Sequence, residues 1–387
     1  MKRAEVVLVP IPAMGHIVAL VEVAKLLVQR DDRLSTTVFI MHPTLDPSTT
    51  KYTQILAAST LPDRMQVINL PNLESIKPET KGRNWLTSLV KGQKSHVREY
   101  VSRIRNQSEL NPDSPRIAGF IFDTFATGMK DVPNEFGVPW YVFSASGAAF
   151  IGSMLHLTAL HDEQGVDLTE LKNSEDELGI PCFAHPIPAK LLPSMVFEKE
   201  SQTTFLEHAR ILTEARGILI NTFIEFESYA INSLSDGKTP PVYPIGPIVK
   251  HVGDGGDLPS GECNNYADIM EWLDDQPPLS VMFLCFGSWG SFKEKQVREI
   301  AIALEHSGHR FLWSLRKPSQ NGKAKSPSDY ENFQNILKAI KSVMEEDSEV
   351  RKKVKEMSRI SEKTLVAGGS SFSSLGHLVE DMMDNIS

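Results

Sequence analysis

Residues 281–291, Val-Met-Phe-Leu-Cys-Phe-Gly-Ser-Trp-Gly-Ser, decide the fold. An apolar run of strand length ends in a turn of small residues, and the pattern predicts a helix opening behind it at Lys293. A strand–turn–helix of this kind offers backbone N–H groups and hydroxyls to a phosphate at the positive end of the helix. It predicts a nucleotide-binding half-domain of an α/β protein. Only one more strand is legible behind it, at residues 310–315, whereas a complete doubly wound domain needs about five or six.

Upstream, residues 250–265 crowd four glycines with Asp254, Asp257 and Pro259, a linker by composition. Before the linker, strand-like runs at 6–9, 37–41, 66–70, 117–122, 140–143 and 217–221 are continuous in apolar residues rather than alternating. Strands buried on both faces read this way. Helical patterns such as 84–105 lie between them, which predicts a mostly parallel, doubly wound sheet. Downstream, after a polar loop at 317–329, Ile340, Val343, Val350, Val354 and Met357 stripe one charged helix. Phe372, Leu375, Val379 and Met382 stripe a last one, with Ser370 or Ser371 as its N-cap. The expected division is an N-terminal domain at 1–249, the linker, and a C-terminal domain at 266–387.

Composition narrows the function. A chain of 387 residues, 41% hydrophobic and 23% charged, is long enough for two cores. Its net charge of −9 argues against a nucleic-acid surface. The three cysteines, Cys182, Cys263 and Cys285, form no CxxC pair, which fits a reducing compartment and no cysteine-rich metal site. Glu5, Pro10, Pro12 and His16 interrupt the N-terminal apolar run too early for a signal peptide, and no run of about 18 apolar residues occurs. The expected location is the cytoplasm.

Two strand ends carry the candidate chemistry. His16 comes directly after the first strand at the start of a helix, and Asp123 ends the strand at 117–122. In open α/β sheets ligands bind at the carboxyl ends of strands. A helix N-terminus lowers a histidine's pKa and favours the neutral base. Asp123 at that edge is placed to accept the other ring N–H and fix the tautomer. Either residue could equally serve as a helix cap or a turn former; their joint position favours the pair. Gly287, Ser288, Gly290 and Ser291 form a turn suited either to cradling a phosphate or simply to tight packing of strand against helix. Neither GxxxxGK[ST] nor GxGxxG occurs, so a P-loop NTPase or a nicotinamide dehydrogenase is unsupported.

In this order the motifs resemble the plant UDP-dependent glycosyltransferases that act on small molecules. The resemblance rests on Pro12-Ala-Met-Gly-His16, Phe122-Asp-Thr-Phe125, Glu135-Phe-Gly-Val-Pro139 and Ser146-Gly-Ala-Ala-Phe150. It continues through Leu219-Ile-Asn-Thr-Phe-Ile-Glu-Phe-Glu227, Tyr243-Pro-Ile-Gly-Pro247, Trp272-Leu-Asp-Asp-Gln-Pro277, the turn at 286–292 and Phe311-Leu-Trp-Ser-Leu-Arg316. The resemblance implies a GT-B fold of two Rossmann-like domains. It implies that His16 is the general base, that Asp123 completes a dyad, and that Ser288 contacts the diphosphate of a UDP-sugar co-substrate. It implies inverting transfer, with no metal and no resident cofactor, to a hydroxyl of a flavonoid, other phenolic or terpenoid by a monomeric enzyme. Trp85, Phe125, Ser146 and Phe150 are the expected lining of the acceptor pocket.

The family's donor-binding signature, opening with Trp-Ala-Pro-Gln and passing through His-Cys-Gly-Trp-Asn-Ser, does not occur in this chain. Near residue 338 the segment N-terminal to that signature joins directly to the segment C-terminal to it. The expectation is therefore an internally truncated C-terminal domain. The alternative function is an acceptor-binding or decoy protein with impaired or absent transfer. A chain unable to fold stably is the third expectation.

Overall fold

The computed structural model describes residues 3–42, 47–73, 85–111, 113–249, 266–287, 292–315, 333–345 and 347–386. The expected linker at 250–265, the loop at 317–329, Cys263, Ser288, Trp289, Gly290 and Ser291 lie outside the described residues.

The strands are β1 (Ala4–Val9), β2 (Leu34–Ile40), β3 (Met65–Asn69), β4 (Arg116–Asp123), β5 (Trp140–Ser144), β6 (Glu177–Leu178), β7 (Ile187–Pro188), β8 (Ile218–Ile220), β9 (Val242–Pro244), β10 (Val281–Cys285) and β11 (Arg310–Ser314). The helices are α1 (Met14–Arg30), α2 (Pro47–Ala58), α3 (Trp85–Leu110), α4 (Asp131–Glu135), α5 (Ala148–Gln164), α6 (Lys199–Leu212), α7 (Ile224–Ser233), α8 (Tyr266–Asp274), α9 (Glu294–Ser307), α10 (Phe333–Met344), α11 (Glu349–Thr364) and α12 (Ser370–Asp384).

The chain divides into two units, one of residues 1–259 with 361–387 and one of residues 260–360. In the first, seven strands pair in the order β3-β2-β1-β4-β5-β8-β9, and every pairing is parallel. All six residues of β1 are buried. Val7 and Val9 enter a core with Phe120 and Phe122 beneath α3, α5 and α6. Val6 and Leu8 enter a second core with Ile121, Tyr141 and Phe143 beneath α1, α2 and α12. Helices thus cover both faces, which is why the strands read as continuous apolar runs. Glu5 is the polar exception: its Oε1 accepts hydrogen bonds from the Thr37 and Tyr100 hydroxyls, both at 2.6 Å, so the buried carboxylate is satisfied.

The second unit contains β10 and β11, paired in parallel. Met282, Leu284 and Trp313 pack against Ile300, Leu304 and Ile340 from the neighbouring helices and against Phe292, which precedes α9. The alternate residues Phe283, Cys285 and Phe311 are exposed. Among the described residues no further strand joins this pair.

Four findings depart from the sequence reading. β9 is a seventh strand at the edge of the first sheet, too short and too rich in proline for the apolar run to mark it. The single charged helix expected across 340–357 is two, α10 and α11. Ser348 separates them: its Oγ accepts a hydrogen bond from the Arg351 backbone N–H at 3.2 Å, an N-cap that starts α11 afresh. Arg351 also donates to the Met344 carbonyl at 3.0 Å, satisfying an unpaired group at the end of α10. Neither Ser370 nor Ser371 caps α12, whose N-cap is Gly369. Their hydroxyls donate instead to Glu225 at 2.9 Å and to the Gly246 carbonyl at 2.5 Å.

The fourth departure is the place of α12 itself. The expected boundary assigned it to the C-terminal domain, but it groups with the first unit. Leu375, Leu378, Val379 and Met382 complete the second core of that unit. Asp381 accepts hydrogen bonds from Tyr141 at 2.5 Å and Arg216 at 2.6 Å. Burial opposes the charge on Asp381, yet these two donors hold its pKa below the ordinary carboxylate value. The Arg30 guanidinium lies 3.8 Å from the centre of the Phe372 ring, adding a cation–π contact.

Candidate active site

The strand order reverses direction at β1, which has β2 on one side and β4 on the other. The crevice outside the carboxyl ends of these strands is where open α/β sheets take ligands. β1 ends at Val9, and a tight turn, with the Ala13 N–H bonded to the Ile11 carbonyl at 2.8 Å, leads into α1. His16 is the third residue of α1, and Asp123 is the last residue of β4. The reversal brings them together across 107 residues of sequence, with His16 Nδ1 and Asp123 Oδ2 2.6 Å apart.

The pair is asymmetric. The Asp123 side chain is 1% exposed and that of His16 is 27% exposed. The other carboxylate oxygen, Oδ1, accepts the Phe125 backbone N–H at 3.0 Å, which fixes the carboxylate plane. Nδ1 therefore carries the proton it donates to Asp123. Nε2 is left with its lone pair on the exposed side of the ring.

The sequence reading expected the start of α1 to depress the His16 pKa. The structure overturns this. Burial lowers it, but the charge of Asp123 and the hydrogen bond to it outweigh burial, and the net shift is upward from the ordinary 6.5. His16 is thus a stronger base than a free imidazole, at the cost of a smaller neutral fraction at neutral pH.

The four expected pocket residues divide. Phe125 lies against His16, with ring centres 6.3 Å apart and an edge-on arrangement. Phe150 is half-buried on α5 at the margin of the first core. Trp85 is buried in that same core at the start of α3. Ser146 is exposed, and its carbonyl accepts the Ser144 hydroxyl. Of the donor-turn residues only Gly287 is described. It comes after β10 with φ of +77°, a left-handed conformation that glycine adopts without strain.

One residue at the site has no counterpart in the sequence reading. His208, half-buried on α6, places its ring 5.4 Å from that of Phe125 at an interplanar angle of 89°. Its Nδ1 is 2.9 Å from the Thr127 hydroxyl. Burial pushes its pKa down to about 4, with the charge of Asp123 opposing. Phe125 therefore packs against two histidines whose pKa values burial and charge push to opposite sides of the ordinary value. The only sequence signal for His208 is a polar residue beside the buried stripe of Phe205, Leu206, Ala209 and Leu212, which no motif marks.

No protein-family model matches the chain. It is 39% identical over 481 aligned positions to UDP-glucose flavonoid 3-O-glucosyltransferase 6 of Fragaria ananassa, covering 98% of this chain and 99% of that protein. The alignment exceeds the 387 residues of the chain by 94 positions, so at least that many positions of the relative have no counterpart here. Among solved structures, a UGT of Siraitia grosvenorii in complex with UDP has a TM-score of 0.82 and 30% identity, covering 98% of this chain and all of that one. UGT71G1 of Medicago truncatula, complexed with UDP-glucose, has a TM-score of 0.83 and 28% identity, with 98% of each chain covered. With α/β topology, parallel sheets and these similarities together, the chain belongs to the plant UDP-dependent glycosyltransferases, enzymes of the GT-B fold.

Proposed function

We propose that this chain transfers glucose from UDP-glucose to a hydroxyl of a small lipophilic acceptor, a flavonoid or related phenolic, with inversion at the anomeric carbon. The observation that carries the reading is the 2.6 Å contact of His16 Nδ1 with Asp123 Oδ2 at the reversal of strand order. His16 Nε2 takes the acceptor's hydroxyl proton as the oxygen attacks. The new bond joins that oxygen to the anomeric carbon. The bond from the anomeric carbon to the phosphate oxygen breaks, and UDP leaves with the electron pair. Asp123 stabilises the imidazolium formed in the step. In this reading Phe125 lies beside the reacting hydroxyl, and Ser288 contacts the diphosphate of the co-substrate. The net charge of −9 supports a small-molecule partner over nucleic acid, and we assign the chain to the cytoplasm as a monomer.

Transfer of radiolabelled sugar from UDP-glucose to a phenolic panel tests this reading. His16→Ala should lower the rate by about 10²–10⁴-fold, the worth of a positioned base. Transfer that survives unchanged in His16→Ala would sink it. Because the His16 pKa lies above 6.5, kcat/KM should rise with pH through that raised value. Asp123→Asn should move the inflection downward, since it removes the charge that raises it.

A second reading is favoured by the 94 unmatched positions and by the two-stranded sheet of the second unit. On this reading the missing segment is the donor signature, and the chain binds acceptors without turning them over. A thermal-shift titration separates the two. A saturable rise in Tm with UDP is the consequence of binding to the native state and supports transfer. A clean transition that UDP leaves unmoved supports the binder.

A further inference from the structure

We propose that Glu227 is a positioning residue of the acceptor site. Its carboxylate, bound to the first backbone N–H groups of α5, sets how the segment 146–150 leaves the carboxyl end of β5 beside Asp123. The inference rests on the acceptor-site reading above and adds to it a residue from a different element.

The sheet fixes where this segment starts. Phe143 of β5 pairs with Asp123 of β4, and its carbonyl accepts the Thr124 N–H at 3.0 Å. β5 ends one residue later at Ser144, whose hydroxyl donates to the Ser146 carbonyl at 2.9 Å. The turn into α5 therefore begins at the same sheet edge, one strand over from the carboxylate that holds His16. Ser146 lies in that turn and Phe150 is the third residue of α5.

The N-cap of α5 is Gly147, which has no side chain to offer, and the first N–H groups of a helix have no partner within it. Glu227 supplies one from 79 residues away. Its Oε2 accepts the Ala148 N–H at 2.8 Å and its Oε1 the Ala149 N–H at 3.2 Å. Negative charge is favourable at this end of a helix, and hydrogen bonds to a charged acceptor are the strong ones. β8 pairs with β5 and leads into α7, which brings the carboxylate to the neighbouring strand's helix. Two local features accommodate the contact. α7 leaves helical geometry at Glu227 itself, with φ −122° and ψ 39°. A Cβ on residue 147 would collide with the carboxylate, so glycine stands there. With both N–H groups held, the direction of the first turn of α5 is set, and the placement of Phe150 with it. A misplacement of about 1 Å at a substrate-positioning group can cost on the order of 10²-fold in rate.

The test measures flavonol affinity of the full chain by equilibrium dialysis without sugar donor, so it does not depend on transfer. Glu227→Ala should weaken binding about ten-fold, and Glu227→Gln, which keeps one acceptor oxygen, about three-fold. Asp381→Ala removes the acceptor that ties α12 to Tyr141 and should bind flavonol as wild type does, which separates positioning from loss of stability. Where the chain transfers glucose, kcat/KM for the acceptor should fall in both Glu227 variants while KM for UDP-glucose stays unchanged. Should Glu227→Ala not fold, the glutamine variant carries the test. Wild-type affinity in the folded Glu227 variants, or an equal loss in Asp381→Ala, overturns the inference and leaves the acceptor site standing. A wild-type chain that binds no flavonol overturns the acceptor-site reading and this inference with it.

Discussion

Strands β1 and β10 begin from nearly the same instruction: a short apolar run, a turn, and a helix. In β1 all six residues are buried. In β10 none is, and Phe283 is 61% exposed. The difference lies in their neighbours. β1 has a strand on each side and helices over both faces, whereas among the described residues β10 has one strand partner and helices against one face. An apolar run specifies a strand; the number of layers around it decides what that strand contributes to stability.

The largest expected effect tests this contrast directly. Phe120→Ala, at a fully buried β4 position, should cost about 3–5 kcal/mol, while Phe283→Ala should stay within about 0.5 kcal/mol. Denaturant midpoints with unchanged m-values would measure both. Equal losses at the two positions would break the comparison. Amide exchange should show the same order, slow at β1 and β4 and fast at β10 and β11.

The next effect concerns α12 and whether it belongs energetically to the well-buried region. Asp381→Ala removes the acceptor shared by Tyr141 and Arg216 and should cost about 1–3 kcal/mol at neutral pH. The folded pKa of Asp381 is depressed, so its contribution is present above the unfolded value of about 3.9 and is lost as pH falls toward the folded one. Wild type and variant should therefore converge in stability below about pH 4. A constant gap down to strong acid would show that Asp381 acts by packing alone.

The smallest effect sits at the start of α5. Glu227 accepts hydrogen bonds there from the Ala148 and Ala149 backbone N–H groups at 2.8 and 3.2 Å. A Cβ at residue 147 would meet that carboxylate. Gly147→Ala should displace this cap and cost about 0.5–2 kcal/mol. Chemical denaturation would read the loss, and in a Glu227→Ala background the Gly147→Ala substitution should be close to neutral.

How much of the site was legible depended on how each residue is encoded. His16 and Asp123 could be read because Asp123 ends an apolar run and His16 lies just beyond another, at the start of the following helix. Phe125 was legible only through the resemblance, as part of Phe122-Asp-Thr-Phe125. His208 was not, because it sits on an amphipathic helix among ordinary core residues and meets the site only through folding. The sign of the His16 pKa shift was misread for the same reason. The helix start is local, but the carboxylate that outweighs it comes from 107 residues away.

By itself the sequence determined the α/β class, the parallel doubly wound sheet and the family, since these arise from local periodicity and short motifs. It also marked His16 and Asp123, which the fold brings to 2.6 Å of each other. Tertiary structure alone decided that α12 joins the first unit and that His208 packs edge-on against the Phe125 ring. Each of these depends on which hydrogen-bond donors and acceptors meet when the layers close. Partners far apart in the chain leave no trace in local pattern.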